Sequence, residues 1–218
     1  MVSLNHAFAY SVYSSGNGDK AYPTLAVTPS GTAYILSNFY QKSLFANSVE
    51  LVSRGERDCI IAKYNPQGAL EWVQQYGGAG NDEINAATVD AADNIYLVGS
   101  FTGSATFGPL SALSTGATDS YLVKYSAQGV MQWVQASGGA GRDKWYDVTV
   151  DGAGAPYVTG NFEGQATFGT LAMSSTNERD IAVAAYTPQG QVRWVQQAGG
   201  VVLTRGSCCF STLKAICP

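Results

Sequence analysis

The chain has 218 residues, 45% of them hydrophobic and only 13% charged, which builds a packed core and excludes wholesale disorder. With 25 glycines, that balance suits short strands and tight turns better than surface helices rich in Glu and Lys. A net charge of −4, with 12 basic side chains scattered along the sequence, leaves no basic patch and excludes a nucleic-acid footprint.

The first ten residues lack a basic stretch followed by a long apolar run, so they do not read as a secretory signal. Residues 8–14 read as an orphan strand, and His6 is the one histidine. No Gly-x-Ser-x-Gly elbow accompanies it, so a Ser–His–Asp site has no support. From there the chain repeats itself. Trp72, Trp133 and Trp194 lie 61 residues apart, as do Asp58, Asp119 and Asp180. Sliding residues 57–139 onto 118–200 matches 37 of 83 positions. Three copies follow at about 20–76, 83–138 and 144–199, the first of them the most worn.

Each copy holds four strand-like segments, in the middle one at 85–90, 94–101, 120–125 and 131–135. Between the third and fourth segments come Asn65-Pro66-Gln67-Gly68, Ser126-Ala127-Gln128-Gly129 and Thr187-Pro188-Gln189-Gly190. Gly68, Gly129 and Gly190 supply the positive φ that such a tight hairpin needs. No segment sustains a helical period with caps. The pattern predicts an all-β chain, a β-propeller-like array of four-stranded antiparallel blades in which a Trp closes each unit. One such sheet cannot cover both of its faces, so neighbours complete each other's core.

The glycine-aspartate turn Gly77, Gly78, Gly80 and Asp82 is followed by Val89, Asp90, Tyr96 and Gly99. Then come Asp119, Lys124 and Tyr125, and Gln128, Gly129 and Trp133. This series resembles the SBBP-type bacterial β-propeller repeat. The resemblance implies a secreted or cell-surface multidomain protein, with the propeller as a scaffold and no general catalytic set. Three departures stand out. Ala185 replaces the Lys of the other copies, residues 14–19 replace the Gly-Gly-Ala-Gly turn, and the pattern stops after Gly200. Residues 201–218 read as a non-repeat tail in which Cys208, Cys209 and Cys217 match no common zinc spacing. Their disulfide state stays open. An orphan strand and three full blades predict an open ring with apolar end faces, completed by further blades or by self-association.

Asp19, Asp82 and Asp143 each precede a first, channel-lining strand. Together they read either as a carboxylate ring holding calcium, the one cofactor considered, or as caps on their own glycine turns. Recurrence in every blade favours the cap. Asp58 with Lys63 and Asp119 with Lys124 read as structural, and the three tryptophans as blade packing rather than sugar platforms. Tyr13, Tyr22, Tyr40 and Tyr76 are expected at the surface, free to stack on a sugar or peptide. Cys59 reads as a small buried hydrophobe. The long loops at about 40–57, 102–118 and 163–179 are expected to fold locally, with Phe107 and Phe168 tucked inward, and their face is where a ligand would sit. The longest uncharged run, 94–118, is too polar for a membrane span. No catalytic residue emerges. The reading is a non-enzymatic propeller scaffold that binds a protein or carbohydrate, outside the cell or at its surface. The alternatives are part of a propeller hydrolase or lyase whose catalytic residues lie in other blades, and a calcium-stabilised adhesive repeat. An unrepeated polar cluster would favour the enzyme, and residues 177–180 are the one deviation seen.

Overall fold

A computed structural model of the chain describes residues 23–199 apart from 46–48 and 177. The orphan strand, His6, Tyr13, Asp19, Tyr22 and the cysteine-bearing tail lie outside the described residues. Strands β1 (Thr24–Val27), β2 (Ala33–Phe45), β3 (Val49–Tyr64) and β4 (Leu70–Gly78) make the first blade. Strands β5 (Asp82–Val89) and β6 (Ile95–Phe101) begin the second, which a hairpin of β7 (Ser104–Phe107) and β8 (Leu110–Leu113) interrupts before β9 (Asp119–Tyr125) and β10 (Met131–Gly139). Strands β11 (Lys144–Val150) and β12 (Pro156–Phe162) open the third. Its hairpin is β13 (Gln165–Phe168) with β14 (Leu171–Ser174), and β15 (Asp180–Tyr186) and β16 (Val192–Ala198) close it. Every ladder is antiparallel, and the described residues include no helix.

Turn chemistry sets the register. Asn65 accepts the Gln67 and Ala69 amides at 3.0 and 2.9 Å, and Gly68 N–H returns to the Asn65 carbonyl at 2.9 Å. Ser126 and Thr187 do the same work with hydroxyls. At the other turn of each blade, Asp90 accepts Ala92 and Asn94, and Asp151 accepts Ala153 and Ala155. All seven residues of β6 are buried, because blades cover it on both sides.

Two apolar clusters fill the spaces between blades. Leu36, Cys59 and Ile61 of the first meet Leu97, Tyr121 and Val123 of the second. Tyr96, Val98 and Leu122 turn the other way and meet Trp145, Val158 and Ala184 of the third. The first strands are the innermost: β5 touches β1 on one side and β11 on the other. The outer seam is made by the repeated tryptophan. Trp72 packs over the Gly129 turn of the next blade, and Trp133 packs over the Gly190 turn and donates its Nε1–H to the Pro188 carbonyl at 3.1 Å. Tyr34 and Tyr96 add a hydroxyl bond across each seam, to the carbonyls of Asp93 and Gly154, at 2.8 and 2.9 Å.

The long loops take two forms. In the second and third blades they are hairpins whose Phe107 and Phe168 are buried. Each hairpin adds to the preceding blade's sheet, β7 onto β4 and β13 onto β10. In the first blade there is no separate hairpin. β2 and β3 run on as one ribbon past a bulge at Gln41, bringing Val49 and Leu51 against Phe39, Ile60 and Ala62 on that blade's far face. Ile181 and Val183, on the far side of β15 from the second blade, are 52% and 37% exposed. In the second blade, Ser120 and Leu122 occupy the same positions and are buried by the third. Tyr76 corrects the expectation of a surface ring. It is 1% exposed, with its hydroxyl 2.9 Å from that of Tyr121 and its ring against Phe107. Tyr40 is half-buried under the Arg57 guanidinium.

The seam is testable through two glycines that share a left-handed backbone, Gly68 at φ 80° and Gly129 at φ 78°. A Cβ at Gly129 would lie 2.9 Å from Gln74 Nε2 and 3.0 Å from the Trp72 ring, whereas one at Gly68 meets nothing. G68A is expected to cost about 1 kcal/mol from backbone strain alone. G129A should cost about 1–3 kcal/mol more from overpacking. Urea unfolding of both variants measures the difference, and equal losses would rule out the tryptophan seam.

Candidate functional site

The sequence singles out aspartates, and the structure places them beneath the surface. Asp58 and Asp82 flank Gly77, and Asp119 and Asp143 flank Gly138, all four carboxylates buried. Asp82 Oδ2 accepts the Gly78 amide at 2.7 Å, and Asp143 Oδ2 accepts the Gly139 amide at 2.8 Å. Asp143 also accepts Glu163 N–H at 3.1 Å. Each therefore caps its own glycine turn. Asp119 and Asp180 hold the loop before their own strands, accepting Thr115 and Thr176 amides at 3.0 and 2.8 Å. Lys63 and Lys124 sit at the opposite strand ends, paired with Glu71 at 2.9 Å and Asp90 at 3.8 Å. Among the described residues, no three Asp, Glu, His or Cys side chains are placed to share a metal ion. Cys59 is fully buried, its thiol 3.3 Å from Asn38 Oδ1, and burial pushes its pKa up.

A different set of residues converges at the surface. At the loop-rich end of the second and third blades, a cavity of about 530 Å³ opens between them. Its floor is the start of β5, with Glu83 and Asn85, and the start of β11, with Lys144 and Tyr146. Its rim is Thr118 ahead of β9, Arg142 in the glycine turn, Asn161 near the end of β12, and Arg179 ahead of β15. Apart from Ala117 the wall is built from polar residues, unlike the mostly apolar lining of an ordinary ligand pocket.

Charge in this cavity is arranged rather than scattered. Glu83 sits between Arg57 of the first blade and Lys144 of the third, with Lys144 Nζ 3.0 Å from its carboxylate. Burial pulls the Glu83 carboxyl upward, but the Lys144 hydrogen bond and charge, with the charge of Arg57, outweigh it and hold the pKa below the usual value. Glu83 is thus a fixed anion whose charge is already matched. Asn85 is spent on the Trp145 carbonyl at 2.7 Å. Asn161 donates to the Tyr146 hydroxyl at 3.1 Å, and the Tyr146 ring is 46% exposed. Arg179 reaches only Glu163, at 3.8 Å, and the Arg142 guanidinium has no partner among the described residues. Two guanidinium forks are therefore open to an incoming anion.

The sequence shows no unrepeated polar cluster beyond the deviation at 177–180, whereas the structure gathers Arg179 of that stretch with polar residues of four other segments. Lys144 stands where the second blade has Glu83, Tyr146 where it has Asn85, and Arg179 where it has Thr118. Repeat matching hides them, because each belongs to a position that the copies do not share. The available signal was the sign change at matched positions, Glu83 against Lys144.

The turn aspartates make a prediction about pH. Burial, and then the charge of Asp58, raise Asp82 to about 7 against the lowering effect of the Gly78 bond. Burial likewise raises Asp143 to about 6. A carboxyl raised on folding contributes most below its unfolded pKa, and that contribution is lost as pH climbs through the folded value. D82N removes the ionisation while keeping an acceptor for the Gly78 amide. It is expected to raise the melting temperature at pH 8 and leave it unchanged at pH 3, below the unfolded-state value of 3.8. A melting temperature equally displaced at both values would show that Asp82 does not titrate in this window.

No family model matches the chain. Among known proteins, the uncharacterized WD repeat-containing protein L264 of Acanthamoeba polyphaga mimivirus is 29% identical over 171 residues. The match covers 69% of this chain and 12% of that protein, so the chain spans about an eighth of its relative's length. Blades of four antiparallel strands and similarity to a WD-repeat protein agree on one architecture, an all-β, propeller-like array of repeats.

Proposed function

We propose that the chain is a non-catalytic interaction scaffold that offers the loop-rich end of its blades to a partner. The observation that carries this reading is the unrepeated polar cavity between the second and third blades. Three sequence-distant segments of one blade and two of the other meet there, on a frame whose remaining repeat positions are spent on packing. An unrepeated cluster is also what an enzyme would need, and its contents support the scaffold reading. The cavity holds one carboxylate, Glu83, locked as an anion by Lys144 and Arg57, and its wall contains no histidine or cysteine. General acid–base catalysis needs a group free to exchange a proton near the working pH. Glu83 is held away from that range. The likeness to a WD-repeat protein supports an interaction role, and the resemblance to SBBP-type repeats supports a place outside the cell or on a bacterial surface. Ile181 and Val183 support contact with a further blade or a second copy through the far face of the third blade.

A photo-crosslinking amino acid at Thr118 and, separately, at Ala153 on the opposite end tests the placement in the producing cell. Crosslinks from position 118 to a distinct macromolecule, absent from position 153, are expected. The same products from both ends, or none from 118, would overturn the reading.

A further inference from the structure

We infer that the cavity between the second and third blades binds a uronic-acid residue of an acidic carbohydrate, its carboxylate held between Arg142 and Arg179 and its ring against Tyr146. This rests on the scaffold reading and gives it a ligand class.

Two observations select an anion. Lys144 and Arg57 already balance Glu83, so the remaining cations of the wall are in excess. Arg142 has no partner among the described residues, and Arg179 has only a distant, half-exposed one. Guanidinium forks match a planar carboxylate two bonds at a time. Two further observations select a sugar. The cavity, about 530 Å³, falls within the size range of small-molecule sites yet is lined mainly by polar side chains, which disfavours a ligand held by hydrophobic burial alone. Instead it offers an amide at Asn161, hydroxyls at Thr118 and Tyr146, and one exposed aromatic face, the set that a ring bearing several hydroxyls can satisfy. A phosphate fits less well. Its second negative charge would enter a wall that already holds the Glu83 carboxylate.

The test is calorimetric titration of the full chain with digalacturonate, its methyl ester and glucose 1-phosphate. Digalacturonate is expected to bind, and the ester to bind about tenfold or more weakly, since charge-assisted bonds to the carboxylate are lost. R142Q and R179Q should each weaken digalacturonate about tenfold, and Y146A several-fold, with unchanged circular dichroism. The ester comparison uses the wild-type chain and does not depend on any variant folding. Equal affinity for acid and ester, tighter binding of glucose 1-phosphate, no binding at all, or R142Q indistinguishable from wild type would each overturn the assignment. The scaffold reading fails separately. Crosslinks from position 118 without uronate binding remove only the ligand class. Conversion of bound digalacturonate to product removes only the non-catalytic reading.

Discussion

A four-stranded sheet has two faces and cannot cover either by itself. The described chain solves this with a contact in which the fourth strand's tryptophan lies on the turn glycine of the next blade. Trp72 on Gly129 and Trp133 on Gly190 are the same contact made twice. The glycine is required there for two reasons at once, a left-handed backbone and the absence of a side chain under the ring. The tyrosine hydroxyls of the second strands fasten the inner part of the seam, and the aromatic and branched side chains between blades follow from the distance this contact sets.

Much of this was legible in the sequence because it is periodic. The tryptophan period, the turn glycines and the four strand-like segments are local signals written three times. Phe107 and Phe168 could be placed inward because hydrophobic residues recur in otherwise polar loops. Pairing of those loops with the preceding blade was not legible. It depends on the absence of side chains at Gly78 and Gly139, over which the carbonyls of Ser104 and Gln165 pass, and a glycine does not announce what crosses it. Tyr76 was misplaced for a related reason. Matched positions suggest a small residue, Ser137, in the next blade, but the first blade fills that space with a phenol anchored to Tyr121. The cavity was hidden most deeply, since it is built entirely from residues in which the copies disagree.

That division has a physical logic. Residues shared by all blades are committed to turns and seams. Asp82 and Asp143 show the cost of such commitment, since burial raises them to about 7 and 6 while they hold a turn in place. Residues that differ between copies are free to be charged and exposed. Placing Glu83 opposite Lys144, with two arginines beyond, gives one junction an electrostatic character that the junction before it does not have.

The hairpins that reach backward change what counts as a unit. Because β7 and β8 extend the first sheet while β5, β6, β9 and β10 build the second, a cut made at a repeat boundary would strip two strands from the earlier sheet. During synthesis, the first blade remains unfinished until the ribosome has emitted half of the second. Modules for recombination or domain insertion in this chain should therefore be drawn in overlapping steps, each one carrying its predecessor's last two strands.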